Sequence, residues 1–310
     1  MKLVTYERNS KQAVGVVKDN RVFNATSLLK RCGYDAKMAC DMLTLLDAGA
    51  KVMKTLSSCA NDLEKSERRA GSFPLNKVKL LAPLPIPRNM FALAGNYAEH
   101  IEEGGRKVTK KDTITPRIFM KPASKTATAP GQPIVISRPA QLVGWEAELG
   151  VVIGRRGKYI TPERALGYVA GYTCFNDISE RKLQIRKRNE SAEWDRFFDW
   201  LNGKWCDRFA PMGPYIVTKD EIRDPQRLEL TLSVNGKTQQ NANTAQMIFS
   251  VAEIVSYLSH LLTIEPGDII ATGTPAGAGG AKSKKLKVGD IVSMEIEKIG
   301  SLVNPVIAER

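Results

Sequence analysis

The sequence predicts an α+β protein in which a small N-terminal unit precedes a longer, β-rich region. Three observations carry this. The segment Leu81 to Asn89 places Pro83, Pro85 and Pro87 at alternate positions, which excludes helix and favours an extended connector. Beyond it, short apolar runs bounded by Gly, Pro, Asn or Asp recur along the chain, as strands do. Few stretches carry helical spacing.

In chain order, MKLVTYE and AVGVVKDNRVFNA read as strands around a turn at Lys18–Asp19–Asn20. Asp41 to Leu63 has helical spacing, with Leu43, Leu46, Val52 and Leu56 as its apolar points. This predicts a small domain over residues 1–80 and a main domain over residues 81–310. The small domain is too short for much of a core of its own, and is expected to pack on the main domain. In the main domain the strand candidates are NMFALAGN, RIFMKP, PIVIS, WEAELGVVIG, YVAGYTCFND, GPYIVT, LELTLSVNG, DIIATGT and DIVSMEIE. Two helices are expected. Glu193 to Leu201 aligns Trp194, Phe197, Phe198 and Leu201, and Val251 to Leu262 aligns Ile254, Tyr257, Leu258 and Leu261.

Composition narrows the function classes. Of 310 residues, 43% are hydrophobic and 25% charged, which excludes a disordered or collagen-like chain. No apolar run reaches the roughly 18 residues of a membrane span, and the N-terminus lacks the apolar core of a secretory signal, so a cytoplasmic protein is expected. The net charge of +13 suits an anionic partner. Basic residues are spread along the chain. The densest groups, Arg181, Lys182, Arg186, Lys187 and Arg188, then Lys282, Lys284, Lys285 and Lys287, lack the interleaved aromatics of a base-stacking platform. A small anionic substrate is expected rather than nucleic acid or membrane. The five cysteines, Cys32, Cys40, Cys59, Cys174 and Cys206, are odd in number and widely spaced, and are expected to be reduced thiols.

The strongest local signal is WEAELGVVIG. Glu146 and Glu148 are two apart at the head of an apolar strand, so their carboxylates share one face. Like charges in register repel unless a cation lies between them. Asp177, at the end of YVAGYTCFND, is the third candidate. Carboxylates without sulfur or histidine select a hard ion: Mg²⁺ or Mn²⁺, with Ca²⁺ as the alternative. A solvated strand face would show the same alternation, although the apolar LGVVIG after it suits a buried strand.

His100 lies in NYAEHIEEGG. If that stretch is helical, His100 and Glu103 are one turn apart, and a carboxylate beside an imidazole makes a general base; a surface or capping histidine fits the spacing equally well. Gly104–Gly105 and the polar stretch to Pro116 suggest a lid. His260 is better read as a packed helix residue. Lys121 ends an apolar strand and Lys204 follows an amphipathic helix; taken singly, each would be assigned to solvent. GTPAGAGG, from Gly273 to Gly280, is no P-loop, but its amides suit a carboxylate or enolate oxygen.

Together these pieces resemble the fumarylacetoacetate hydrolase family over Ala82 to Ala308. The residues that carry the resemblance are Asn96–Tyr97–Ala98–Glu99–His100 with Glu103, Phe119–Met120–Lys121–Pro122, Glu146–Ala147–Glu148, Asn176–Asp177–Ile178–Ser179, Gly213–Pro214, and Gly267–Asp268 through Gly273–Thr274–Pro275. The order of these motifs along the chain is the specific feature. The resemblance implies a mixed β-roll or β-sandwich catalytic domain, a divalent metal on Glu146, Glu148 and Asp177, and a homodimer. It implies a catalytic set of His100, Glu103 and Lys204, with Lys121, Arg181, Gln184, Gly273 and Thr274 at the substrate. AKSKKLKVGD departs from the family with four lysines before the turn.

The expected reaction is hydrolysis of a C–C bond in a 2,4-dioxo acid (an acylpyruvate), releasing pyruvate. The ion acts as a Lewis acid on the 2-oxo acid while His100 and Glu103 activate water. The alternatives on the same scaffold are oxaloacetate decarboxylation and hydroxymuconate-type isomerisation or dehydration. A non-catalytic anion-binding protein is the alternative from another class.

Overall fold

Short strands separated by turn residues assemble into two main sheets that face each other, with a small two-stranded pairing of Val143–Gly144 and Ser179–Glu180 beside them. The computed structural model describes residues 1–62, 72–108, 110–186, 188–280 and 284–309. Leu63, Lys187 and Lys282, named above, lie outside the described residues.

Along its main path the long sheet runs Ser72–Pro74, Arg21–Asn24, Lys11–Lys18, Lys2–Arg8, Ala210–Thr218, Val169–Asn176, Ala147–Ile153, Ile269–Ala271, Met90–Ala94, Arg117–Met120. The second sheet runs Lys237–Asn243, Glu229–Val234, Ile291–Ile296, Gly300–Ala308, Ile134–Ile136. The helices Glu193–Asn202 and Val251–Leu261 stand where helical spacing predicts them. The second is closed at its start by a reciprocal Ser250–Glu253 capping box.

The Ala147–Ile153 strand is buried on both faces, which its unbroken apolar run anticipates. Leu149 and Val151, with Tyr172 and Cys174, pack on Leu230, Leu232, Met294 and Leu302 of the second sheet. On the opposite face, Val152, Phe175, Met212 and Ile216 share a core with Leu3, Val16, Leu29, Leu45 and Leu56. The N-terminal unit therefore covers this second face, and it also extends the sheet, through the pairs Lys2↔Val217 and Leu3↔Ile216. Among the described residues, no helix is long and apolar enough to cross a membrane.

The structure departs from expectation in several places, among them the Ala25–Arg31 helix and the Gly300–Ala308 strand, which the pattern did not single out. The single helix expected from Asp41 is two, Met42–Asp47 and Gly49–Asn61, because the chain turns at Gly49, whose φ is +81°. Lys237–Asn243 is a strand that periodicity does not reveal, since KTQQNAN is polar throughout and only Gln240 is buried. The expectation of five reduced thiols is also corrected: Cys32 and Cys59 are paired as a disulfide, with Cα atoms 6.7 Å apart. Packing of the Ala25–Arg31 helix on Gly49–Asn61 brings the two together, and their separation of 27 residues gave no sign of it.

Candidate active site

Glu146 and Glu148 lie at the head of the strand whose alternate side chains face away from the second sheet. Antiparallel pairing of Ala147 with Asn176 carries Asp177 alongside them, and the Asp177 N–H donates to the Glu146 carbonyl at 2.9 Å. The Asn176 side-chain oxygen accepts from the Glu146 N–H at 3.0 Å. One ligand oxygen from each of Glu146, Glu148 and Asp177 lies within 4.8 Å of the others, and all three residues are buried.

Three cations close on this cluster. Lys204 Nζ bridges Glu146 Oε2 and Asp177 Oδ2, at 2.7 Å each. Lys121 is paired with Asp177 Oδ1 and also donates to the Ile178 carbonyl at 3.2 Å. Arg181 is paired with Glu146 Oε1. Lys204 owes its place to the turn after the aromatic helix. A side chain on Gly203 would meet the Glu180 carbonyl at 2.1 Å, so only glycine lets the turn lie this close. The rings of Phe119 and Trp200 cover Lys204 Nζ at 5.3 and 5.8 Å.

Glu148 is treated differently. Its Oε2 accepts from the Gly273 N–H at 2.7 Å, while its Oε1 is buried with no hydrogen-bond partner among the described residues. Burial, and then the neighbouring Asp177 carboxylate, push its pKa up to about 8. Burial would raise Asp177 too, but Lys121 and Lys204 outweigh it and hold Asp177 below its usual range. Burial pushes Lys121 down to about 8 and Arg181 down to about 10. An oxygen-only donor set with one buried, unpartnered carboxylate oxygen fits a hard divalent cation.

His100 lies on the Ala98–Glu103 helix, partly buried, with Nδ1 enclosed and without a hydrogen-bond partner among the described residues. Burial, then the charges of Arg181 and Lys204, push the imidazole down to about 4. It is therefore neutral at neutral pH, and those charges lie close enough to it to matter. No hydrogen bond joins it to Glu103 among the described residues. Glu103 Oε2 accepts instead from the Gly277 N–H at 2.7 Å. The glycine-rich turn thus holds two of the chain's own carboxylates, Glu148 through Gly273 and Glu103 through Gly277. Gly273 has φ +92°, and a Cβ there would meet Asn96 Cβ at 2.6 Å, so the turn depends on glycine.

Two sequence-derived residues stand apart from the cluster. Gln184 is exposed. Thr274 donates its hydroxyl to the Ala147 carbonyl at 2.9 Å and so serves the strand. Two residues that spacing did not single out belong to the site. Tyr97 has a buried hydroxyl with no hydrogen-bond partner among the described residues, and burial and Glu148 drive it well above its ordinary pKa. Gln240 is buried against the Ala147 backbone. Its clue was a glutamine in a polar run, which is too common a pattern to stand out.

A two-sheet fold with a buried carboxylate trio, lysines set on it and a neighbouring histidine defines the class to which the sequence motifs pointed. The chain belongs to the fumarylacetoacetate hydrolase family: a model of the family's C-terminal domain matches residues 89–307. It is 37% identical over 276 residues, 88% of this chain and 81% of the relative, to the mitochondrial oxaloacetate tautomerase of Xenopus laevis. Over 100% of both chains it is similar to the solved fumarylacetoacetate hydrolase of psychrophilic Exiguobacterium antarcticum, at 31% identity and a TM-score of 0.78. It is likewise similar, over 100% of both chains, to maleylpyruvate hydrolase from Sphingobium sp. SYK-6 in complex with manganese(II) and pyruvate, at 26% identity and a TM-score of 0.76.

Proposed function

We propose that the protein is a divalent-metal-dependent enzyme that transforms a small 2-oxo acid through its enolate at C3, with keto–enol interconversion of an oxaloacetate-like dicarboxylate as the leading reading. The observation that carries it is the meeting of three buried carboxylates with Lys121, Lys204 and Arg181 beside a neutral His100. Glu146, Glu148 and Asp177 would hold Mg²⁺ or Mn²⁺. When bound, the ion supplies Lewis-acid stabilisation of negative charge on substrate oxygens.

The chain's own groups account for the rest. Arg181 and Lys204, which meet Glu146 at the cluster, would bind the carboxylate and keto oxygens of the substrate. His100, unprotonated at neutral pH, takes the proton from C3. Lys121, pushed down to about 8, is a ready donor to the C2 oxygen. One C–H bond breaks and one O–H bond forms, which gives the enol; the reverse gives the ketone. One base and one acid are enough for this, and solvent returns the proton from His100 to Lys121 before the next turnover. The identity with an oxaloacetate tautomerase supports the reading, as does Glu103 being held by Gly277 and not by His100.

The second reading is hydrolysis of a 2,4-dioxo acid. Water adds at C4, the C3–C4 bond breaks, and C3 takes a proton to leave pyruvate. The likeness to a hydrolase solved with manganese(II) and pyruvate favours it. In this reading Glu103 must leave Gly277 and orient His100 toward the water. The working unit in either reading is a homodimer, which light scattering on the purified protein checks.

Following the ultraviolet absorbance of enol-oxaloacetate, with pyruvate assayed in parallel against a panel of acylpyruvates, tests both. Metal-dependent loss of the enol without pyruvate supports the leading reading. Pyruvate from an acylpyruvate with no effect on the enol supports the second. Activity on neither class sinks both.

A further inference from the structure

We propose that Gln240 is a positioning residue: by gripping Ala147 it sets the relative placement of the Glu146 and Glu148 carboxylates, and so the affinity of the site for a divalent cation. This rests on the reading that those carboxylates hold the ion.

The need for such a residue comes from where the ladder ends. On one side Ala147 pairs with Asn176. On the other, the Ile269–Ala271 strand pairs only from Gly150 onward, its last match being Gly150↔Ala271. Ala147 lies beyond that ladder, so its N–H and C=O on this side lack a strand partner, and buried backbone groups must find one. Side chains supply both. Gln240 Oε1 accepts from the Ala147 N–H at 2.9 Å, and Thr274 Oγ1 donates to the Ala147 carbonyl at 2.9 Å. Gln240 Nε2 then donates to Thr274 Oγ1 and to the Pro275 carbonyl, at 2.9 Å each. The amide and the hydroxyl thus form a closed clamp on the one residue between the two glutamates.

The amide half of the clamp comes from the other sheet. Gln240 is the only buried position of the polar Lys237–Asn243 strand. That strand also lies hard against the glycine-rich turn: a Cβ on Gly277 would meet the Gln239 carbonyl at 2.0 Å. The same turn holds Glu148 through Gly273 and Glu103 through Gly277. Gln240 therefore fixes the strand that carries two ligands relative to the turn that orients one of them, while touching no carboxylate itself. Partners hydrogen-bonded directly to metal ligands typically alter metal affinity by about 10–100-fold when removed, and Gln240, one residue further out, is expected at the lower end of that range.

The test is Mn²⁺ titration of the full chain by calorimetry, with the electron paramagnetic resonance spectrum of bound Mn²⁺ as a second readout. Gln240→Met keeps length and volume but removes the amide. It is expected to weaken Mn²⁺ binding by about tenfold or more and to broaden the spectrum, with the circular dichroism unchanged. Gln240→Glu keeps an acceptor for the Ala147 N–H and is expected to fall between Gln240→Met and the parent; it also serves if Gln240→Met does not fold. Asn304→Leu is the control. Asn304 is equally buried and donates to the Ala129 and Gln132 carbonyls, away from the site. Its loss is expected to lower Tm while leaving Mn²⁺ affinity within about twofold. Parent-like Mn²⁺ affinity in both Gln240 variants overturns the inference, as does an equal loss in Asn304→Leu. If the parent protein binds no Mn²⁺, or Glu148→Gln binds it as tightly as the parent, the metal reading itself fails and the inference falls with it.

Discussion

The Asp177 N–H donates to the Glu146 carbonyl at 2.9 Å, so two of the three clustered carboxylates are joined through their backbones before any side chain is considered. Strand pairing therefore brings the cluster together, and its charge is offset by cations arriving from other parts of the chain. Removing one carboxylate should accordingly spare the fold and disable the site.

Glu148→Gln and Asp177→Asn are each expected to abolish the rise in Tm that saturating Mn²⁺ gives the parent protein. A ligand at 100 times its Kd stabilises by about 2.7 kcal/mol, so the rise should be easy to read. Far-ultraviolet circular dichroism should match the parent. Metal stabilisation that persists in both variants would remove these residues from the ligand set.

His100→Ala is expected to slow turnover by about 10²–10⁴-fold, the usual contribution of a positioned general base, with little change in Mn²⁺ affinity. Glu103→Gln separates the two chemistries. It should cost little in keto–enol interconversion, where His100 acts alone, and much in acylpyruvate hydrolysis, where the pair must activate water. Equal losses on both substrates would instead show that Glu103 acts through the Gly277 contact, by ordering the turn.

The histidine also sets a pH dependence. His100 is pushed down to about 4 in the folded chain, from 6.5 for an ordinary imidazole. Between those values the unfolded chain binds a proton that the folded chain refuses, so stability falls as pH drops through this window and is fully present above it. Histidine-ring nuclear magnetic resonance measures the titration directly. With only His100 and His260 in the chain, the His260→Gln variant leaves a single signal to follow. A midpoint near 6.5 for that signal would contradict the enclosed position of the ring.

The disulfide is checked by counting thiols. Denatured without reductant, the oxidised protein is expected to show three reactive thiols, Cys40, Cys174 and Cys206, and five after reduction. Cys32→Ser should lower stability by about 2–4 kcal/mol in oxidising buffer, and by much less with reductant present. Five thiols before reduction would restore the expectation drawn from their spacing.

The sequence by itself determined most of the main domain's apolar strands and one half of the site. Every strand proposed in the main domain is present, because a four- to eight-residue apolar run between turn residues states its own local conformation. The convergence of Glu146 and Glu148 was legible for the same reason, since a strand's period of two is a property of its backbone. Tertiary structure decided the rest. Antiparallel register brought Asp177 beside Glu146, and packing drew in Lys121, Arg181 and Lys204 from separate elements. Packing also gave Glu103 to Gly277 and not to its helical neighbour, paired Cys32 with Cys59, and set a glutamine from a polar strand on the backbone between the two glutamates. Periodicity reports how a segment lies along its own axis. Which segment it will face is set by register and packing across the whole chain, and spacing in sequence carries no measure of that.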